Sequence, residues 1–328
     1  IEGQAGDFTV SLRHEPRYID PARCINCDYC TQVCPVELPD LYQRGMLPRK
    51  AVYKVSARAA PNTYVIDKGP YCDECRRCVE VCPTNAIDLD DQARLLSVHV
   101  GAIILALGFK VYDPSSLQEL GYGRYSNVVD AMQYERLASR SGPTEGVITR
   151  PSDKKQPKSV AWLQCIGSRD QDNSFCSSIC CMYATKEAML AKQRLGEEVD
   201  CSIFMMEERA FNKEYNNYFS KARETHGVRY VHCRVSAIQE DPSTGDLVLH
   251  YAEQNGKLRE ERFEMVVLAT GLQPPDSARH FTSILDIDLN EHGFCETHKF
   301  TPLQTTHSGV FVCGAFSSPK EISETILD

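Results

Sequence analysis

The sequence lacks two features that would each assign it to a broad class of protein. No apolar run approaches the roughly 20 residues needed to span a bilayer, and the longest run, Val100–Leu107, predicts a buried strand instead. Lysine and arginine total 36 against 45 aspartates and glutamates, so the net charge is −9, and no basic stripe is present. We therefore expect a protein that is not itself transmembrane and does not bind nucleic acid.

A secretory signal is also missing, although the chain of 328 residues contains 16 cysteines. Free thiols persist in reducing compartments. The sequence therefore predicts a cytoplasmic protein, which would meet a membrane only through partners. The first residues, Ile1–Gly3, include no methionine and lead almost directly into a strand pattern at Phe8. They suggest a fragment whose upstream sequence is missing.

No G-x-G-x-x-G loop follows any predicted strand. In a two-domain flavoprotein such loops hold the pyrophosphates of FAD and of the nicotinamide nucleotide. The predicted strand Ser159–Leu163 runs instead into Gln164–Asp170, where a cysteine takes the place of phosphate-binding glycines. If the protein binds FAD, the glycine loop for its pyrophosphate would have to lie upstream of residue 1.

Two cysteine runs with identical spacing dominate the first quarter of the chain. Cys24–Pro35 and Cys72–Pro83 both read Cys-x2-Cys-x2-Cys-x3-Cys-Pro. This spacing is typical of bacterial ferredoxins with two [4Fe–4S] clusters, in which the fourth cysteine of each run ligates the other cluster. We assign the first cluster to Cys24, Cys27, Cys30 and Cys82, and the second to Cys72, Cys75, Cys78 and Cys34.

Zinc and disulfides are the alternatives for these eight cysteines. A structural zinc site needs only four ligands and no Cys-Pro ending, and disulfides are not expected without a secretory signal. The repeated spacing therefore favours iron–sulfur clusters and one-electron chemistry.

A second cysteine group follows the strand Ser159–Leu163. Its members are Cys165, Cys176, Cys180 and Cys181, and we expect the last three to open a helix over Ser174–Arg194, with Cys176 and Cys180 on one face. A helix N-terminus favours thiolates and anionic clusters. Four cysteines could ligate a third [4Fe–4S] cluster, in which case NAD(P) is not expected here. A redox-active dithiol and inert buried cysteines are the other interpretations.

The remaining chain alternates strand and helix patterns, which predicts parallel, doubly wound α/β sheets. Met265–Gly271 and Gly309–Gly314 read as buried parallel strands, Lys213–Thr225 as a helix and Val228–Ile238 as a strand. Isolated cysteines and the single tryptophan, Trp162, are expected to be buried packing residues. The isolated cysteines are Cys201, Cys233, Cys295 and Cys313.

This order of patterns predicts a thioredoxin-reductase-like flavoprotein fold into which a two-cluster ferredoxin domain of α+β type is inserted. Ser139–Lys158 has the composition of a linker. The expected domains are a partial FAD-type domain (1–19), the ferredoxin insertion (20–92), the continued FAD-type domain with linker (93–155), a nucleotide-like domain with the second cysteine group (156–272) and the C-terminal part of the FAD-type domain (273–328).

With these motifs the chain resembles the A-type subunits of heterodisulfide reductase and the related flavoprotein subunits of quinone-interacting membrane-bound oxidoreductases. The resemblance extends over nearly the entire length. It is carried by the two cluster runs and by Pro16–Cys24, Ser141–Thr144, Arg150–Asp153, Gln164–Asp170, Cys176–Tyr183 and Gly309–Thr325.

The resemblance implies FAD, several [4Fe–4S] clusters and partner subunits. The partners would be B- and C-type heterodisulfide reductase subunits or hydrogenase- or dehydrogenase-type subunits. Glycines at strand ends and the helix that begins near Pro319 are expected beside the flavin. Ala315 stands where related flavoproteins usually carry an aspartate that binds the ribityl chain. The expected flavin contacts are Gly108, Gly271, Gly314, Ala315, Pro319, Lys320 and Glu321.

These observations predict an oxidoreductase subunit that passes electrons between flavin and [4Fe–4S] clusters toward partner subunits. No catalytic acid or base is assigned, because cluster steps need none. Two other functions are open: an NAD(P)H-dependent iron–sulfur flavoenzyme, which would bind a nucleotide beside Cys165, and a flavin-free scaffold that docks a ferredoxin module.

Overall fold

The computed structural model describes residues 1–56 and 58–328, which form two compact units. The first comprises residues 1–2 and 9–100, and the second comprises residues 3–8 and 101–328.

Nineteen strands and eight α-helices are present among the described residues. In chain order the strands are β1 Glu2–Gln4, β2 Asp7–His14, β3 Glu37–Pro39, β4 Pro48–Lys50, β5 Val52–Tyr53, β6 Val65–Ile66, β7 Arg94–Val100, β8 Ile103–Leu105, β9 Lys110–Val111, β10 Val128–Asp130, β11 Ser159–Ile166, β12 Asp200–Met205, β13 Arg229–His232, β14 Val235–Glu240, β15 Leu247–Ala252, β16 Leu258–Phe263, β17 Met265–Thr270, β18 Leu272–Gln273 and β19 Val310–Val312. The helices are α1 Tyr29–Val33, α2 Tyr71–Cys75, α3 Arg77–Glu80, α4 Ala131–Ala138, α5 Cys180–Leu195, α6 Tyr215–Glu224, α7 Ala278–Leu285 and α8 Ile322–Leu327.

The first unit is built from very short elements. Two antiparallel pairs, β3–β4 and β5–β6, stand beside helices of four or five residues that carry cysteines. Its small core packs Ile19, Val52, Ile66 and Leu89 against several of those cysteines. Because so few apolar side chains are buried, the cysteines make up a large part of the core of this unit.

The second unit is organised by a five-stranded parallel sheet in the order β10-β17-β11-β12-β13. All six residues of β17 are buried, as its apolar sequence predicted for a central parallel strand. Helix α5 connects β11 to β12 and packs on both strands. The predicted α/β class with a parallel sheet is confirmed here.

A smaller antiparallel sheet, β14-β15-β16, shares its core with the parallel sheet. Phe204 of β12 meets Tyr251 and Phe263 edge to face, with ring centroids 5.3 and 5.7 Å apart. Such aromatic pairs add to the free energy of burial. They fix the antiparallel sheet to the parallel sheet.

Replacing Phe263 by alanine should lower the free energy of unfolding of the second unit by about 3–5 kcal/mol, because the ring is 1% exposed and its removal leaves a cavity. Denaturant titration followed by circular dichroism would measure the change. Leu258→Ala is the matched control, since Leu258 lies on the same strand and is 81% exposed. Equal losses from both substitutions would contradict this account of the core.

Three predicted elements differ from the structure. The run Val100–Leu107 is not one buried strand: β8 covers only Ile103–Leu105, and Ile104 is 68% exposed. β8 pairs in parallel with β19 alone among the described strands, so only one of its edges is covered. The predicted strand Val228–Ile238 is two strands, since the chain leaves the parallel sheet after His232 and enters the antiparallel one at Val235. The third difference concerns the start of α5.

No helix among the described residues combines the length and apolar character that crossing a membrane requires.

Candidate functional site

The first unit contains a small cavity lined by four cysteines from both runs. They are Cys24, Cys27 and Cys30 of the first run and Cys82 of the second. Short backbone turns bring them there: α1 carries Cys30 inward, and residues Asn26 and Asp28 adopt left-handed conformations between the first three cysteines. These four cysteines are the set assigned to the first cluster from the spacing.

A second cavity in the same unit repeats this arrangement with the runs exchanged. Its cysteines are Cys72, Cys75 and Cys78 of the second run and Cys34 of the first. The two cavities are equal in size. The similarity in lining and size follows from the sequence repeat, and each cavity could hold a cluster of the same kind.

The protein environment acts differently on the individual thiols of these cavities. Burial raises the pKa of Cys78 to about 11, and burial also raises the pKa values of Cys30 and Cys72. At Cys82 burial acts in the same direction but is outweighed by hydrogen bonds, including one from the Ala86 N–H at 3.2 Å, and the pKa is lowered. Hydrogen bonds to sulfur are among the features that set cluster potentials.

Within residues 1–56 and 58–328, no three His, Cys, Asp or Glu side chains converge tightly enough for a single metal ion. A [4Fe–4S] cluster is held by four thiolates, each on its own iron atom, and so requires a wider ring of ligands than one ion does.

The second cysteine group lies at the carboxyl end of β11 in the second unit. Cys165 occupies the penultimate position of this strand in a left-handed conformation, with φ +62°. Cys180 and Cys181 form the first turn of α5, where they are 2% and 3% exposed. The 16-residue helix α5 begins without a side-chain cap, so its first N–H groups and its dipole favour negative charge at this point.

Cys176 corrects the sequence prediction. It was expected to open the helix and to share a face with Cys180, but α5 begins only at Cys180, and Cys176 lies in the preceding loop. The loop is held by its own polar contacts, among them a 2.5 Å hydrogen bond between Ser168 and Ser177. Helical spacing therefore does not relate Cys176 to the other cysteines, and only the folding of the loop brings it near them.

All four thiols of this group influence one another electrostatically. The Cys180 pKa is raised by its hydrogen bond to Cys181 and by burial, whereas the Cys181 pKa is lowered by that hydrogen bond and by the positive charge of Arg169. Burial raises the Cys165 pKa against the same arginine. A thiolate at Cys181 is thus favoured, and thiolates are the form that binds iron.

Arg169 is the residue of this site whose role the sequence did not predict. It lines a cleft of about 500 Å³ in front of Cys165 and binds Glu207 at 2.8 Å. Its position four residues after Cys165 was the available signal, since a cation in the loop after the strand can reach thiolates at the strand end. Its charge stabilises any anionic group held by these cysteines.

Gly271, which directly follows the neighbouring strand β17, borders this site. A Cβ atom at Gly271 would stand 2.1 Å from Ser168 Oγ and 2.5 Å from Ser177 Oγ. Ser177 Oγ also accepts the Leu272 N–H at 2.9 Å. Gly271 was predicted as a flavin contact, and its lack of a side chain makes room for the cysteine-bearing loop.

The other residues predicted as flavin contacts are placed in two regions of the second unit. Gly108 precedes β9, which pairs with β18 just after Gly271. Gly314 and Ala315 lie in a turn after β19, and the residues from Pro319 to Glu321 lead into α8. The structure brings Gly314 and Lys320 together on Asp328, whose carboxylate accepts from the Gly314 N–H and the Lys320 ammonium, both at 2.8 Å. The predicted flavin contacts at these residues stay a prediction.

Three of the isolated cysteines are buried, as predicted. Burial raises the pKa of Cys201 to about 12 and those of Cys233 and Cys295 to about 11, which leaves them as protonated thiols. Cys313 is only half-buried, contrary to the prediction. Trp162 is fully buried in β11 as expected, but its indole N–H also binds a carboxylate.

Two family models match the chain. Residues 17–83 match the 4Fe-4S dicluster domain, and residues 176–326 match the pyridine nucleotide-disulphide oxidoreductases. Among solved structures, the thioredoxin reductase of Lactococcus lactis in its FR conformation aligns with 85% of this chain and 81% of its own, at 14% identity and a TM-score of 0.45.

Curated relatives align with nearly all of the chain. The A-type iron-sulfur subunit, form 2, of the CoB–CoM heterodisulfide reductase of Methanopyrus kandleri is 40% identical, and the match covers 99% of this chain and 50% of that relative. The A-type subunit of the H(2):CoB-CoM heterodisulfide,ferredoxin reductase of Methanothermobacter marburgensis is 36% identical with the same two coverages. The chain spans about half the length of these curated relatives. Over that span the curated homologues of this chain are A-type subunits of heterodisulfide reductase.

Proposed function

We propose that this chain conducts single electrons through [4Fe–4S] clusters as part of a multisubunit oxidoreductase. The observation that carries the proposal is the pair of cavities in the first unit, each lined by three cysteines of one run and the fourth cysteine of the other. This exchange is what two-cluster ferredoxins require. The proposed ligand sets are therefore those assigned from the spacing, within the ferredoxin insertion predicted at 20–92.

A third cluster is proposed at Cys165, Cys176, Cys180 and Cys181. The uncapped start of α5, the lowered pKa of Cys181 and the nearby Arg169 support it, because each favours an anionic group bound through thiolates. When bound, the clusters supply one-electron exchange. The chain's own contribution is to hold the thiolates, to keep water from the buried ones, and to tune the potential through charge and N–H donors.

FAD is the second proposed cofactor. The match to pyridine nucleotide-disulphide oxidoreductases supports it. The flavin contacts stay a sequence prediction, and the electron path proposed here is derived from the cysteines alone.

We place the substrate chemistry on partner subunits. The relatives are named as A-type subunits of reductases for the CoB–CoM heterodisulfide. The proposed partners of this chain are therefore the other subunits of a heterodisulfide-reductase-like complex. Acceptance of electrons from a ferredoxin, hydrogenase or dehydrogenase subunit belongs to the same proposal.

Cofactor analysis and reductive titration of anaerobically purified protein test this function. We expect iron and sulfide equivalent to about three cubanes, roughly twelve iron atoms per chain, and bleaching of cluster absorbance by titanium(III) citrate but not by NADH. Bleaching by NADH alone would favour the NAD(P)H-dependent flavoenzyme instead. Protein without iron after strictly anaerobic preparation would refute electron conduction, and about one flavin per chain would exclude the flavin-free scaffold.

A further inference from the structure

The backbone of Arg169 is fixed next to two cysteines of the second group. The turn after Cys165 is closed by a hydrogen bond from the Ser168 N–H to the Cys165 carbonyl oxygen at 3.3 Å. Arg169 follows this turn, and its own N–H donates at 3.0 Å to the carbonyl oxygen of Phe175, the residue before Cys176. The arginine therefore stands where the strand end and the cysteine-bearing loop meet.

The side chain of Arg169 is also directed to this group. It is 18% exposed and lines the cleft together with Cys165. Burial raises the pKa of Cys165, and the positive charge of Arg169 is the first influence that opposes burial there. The same charge acts on Cys181, after the larger effect of its hydrogen bond with Cys180. Because solvent screens a largely buried cation only weakly, this charge acts on any group that the thiolates hold.

One carboxylate, that of Glu207, moderates the charge of Arg169. Glu207 follows the end of β12, which lies beside β11 in the parallel sheet, so it reaches the same edge. Its Oε1 accepts from the Arg169 guanidinium at 2.8 Å and from the Arg209 guanidinium at 3.0 Å. The Glu207 side chain is 53% exposed, against 18% for Arg169. The carboxylate is thus the better solvated partner and offsets the arginine only in part.

Among the described residues, the cleft wall carries four further charged side chains, which are less favourably placed. Glu119, Asp172 and Arg234 are exposed, so solvent screens their charges. The Asp170 carboxylate accepts two N–H groups of its own loop, at 3.0 and 2.7 Å. Arg169 is therefore the charged group of the cleft that is both buried and close to the thiols.

A cation beside a cluster favours its reduced form, because reduction adds one negative charge. We propose that Arg169 and Glu207 together set the reduction potential of the third cluster, with Arg169 raising it and Glu207 limiting the rise. The inference rests on the third cluster of the proposed function and adds the residues that govern how readily it accepts an electron. Neither residue is a ligand, and both act through their charge.

A redox titration of the anaerobically purified chain, followed by low-temperature EPR, tests the role of Arg169. The third cluster is the signal that disappears in Cys180→Ser. In Arg169→Gln the ratio of reduced to oxidised cluster at a fixed applied potential should fall about tenfold, which is 59 mV for one electron. Arg169→Lys keeps the charge and should restore most of the wild-type potential. Equal potentials in Arg169→Gln and the wild type would overturn the proposal.

Replacing Glu207 should shift the same signal in the opposite direction. In Glu207→Gln the ratio of reduced to oxidised cluster should rise about threefold, the modest effect of a half-exposed charge pair. Glu208→Gln is the matched control, because Glu208 is the next carboxylate in the chain and binds Arg223 instead. Shifts of the same sign in Arg169→Gln and Glu207→Gln would show disturbance of the loop rather than an effect of charge.

Arg209→Gln separates the charge of Glu207 from its hold on the segment after β12. This variant removes one of the two arginines that bind Glu207 but keeps the carboxylate. The potential should therefore not rise. A rise equal to that of Glu207→Gln would assign the effect to the position of the segment and refute the proposal.

Iron analysis of the same samples separates this inference from the cluster on which it rests. About twelve iron atoms per chain, with an unchanged potential in both charge variants, would refute the role of the pair alone. About eight, with no signal sensitive to Cys180→Ser, would refute the third cluster and the inference with it. If Arg169→Gln loses iron, the sign of the shift in Glu207→Gln decides, because Glu207 lies nearer the surface.

Discussion

The double substitution Cys24→Ser with Cys34→Ser should remove both clusters of the first unit, a loss of about eight iron atoms per chain. The alternative pair, Cys24→Ser with Cys82→Ser, should remove only about four. The reason is the crossed arrangement, in which Cys24 and Cys82 line one cavity while Cys34 lines the other. Iron analysis combined with low-temperature EPR of the reduced protein would measure both losses.

The comparison is informative because both variants carry two serine substitutions. If each run ligated its own cluster, the results would be reversed, and Cys24→Ser with Cys34→Ser would be the milder change. EPR adds a second criterion, since a chain that retains one of the two clusters should lose the magnetic interaction between them. Cys313→Ser controls for the general effect of replacing a cysteine, since Cys313 lies in neither cavity.

Substitution of Cys180 by serine should remove about four iron atoms and leave the two clusters of the first unit intact. Cys180 is 2% exposed at the uncapped start of α5 and is electrostatically linked to Cys165, Cys176 and Cys181. A serine hydroxyl is a much weaker ligand for iron than a thiolate, so we expect a third cluster to be lost rather than merely altered. Iron content and the EPR signal of the remaining pair are the measurements.

This substitution also distinguishes the interpretations left open for the second cysteine group. A redox-active dithiol predicts unchanged iron in Cys180→Ser and the disappearance of the increase of two titratable thiols that reduction produces in the wild-type chain. Inert buried cysteines predict no change in either quantity. Cys201→Ser is the matched control, because Cys201 is equally buried, on β12, and lies apart from the group.

Several parts of the molecule could be predicted from local sequence because local physics determines them. The spacing of each cysteine run is set by the reach of a short turn, so the dicluster domain was predictable without a structure. Strand β17, apolar except for its last residue Thr270, had to be a strand buried on both faces. The parallel order of the large sheet follows from the alternation of strand and helix.

Other features depended on which segments meet in space. Whether an apolar run is buried depends on what packs on each face of the strand: in β8 Leu105 is 4% exposed, whereas Ile104 on the opposite face is 68% exposed. The start of α5 was misplaced by several residues, because the loop carrying Cys176 is held by Ser168, Ser177 and Gly271 rather than by helix propensity. No local pattern reports such contacts.

By itself the sequence determined that this protein carries two interleaved sets of ferredoxin cysteines and an α/β body, since ligand spacing and hydrophobic periodicity are local properties. Only the tertiary structure decided that Arg169 stands beside the thiols at the end of β11 and that Glu187, on the same helix as Cys180, is fully buried against the indole N–H of Trp162. The physical reason is that the charge and burial of a side chain are set by residues distant in sequence. The charge state and the burial of a side chain are therefore determined only once the strands and helices that supply those neighbours have packed together.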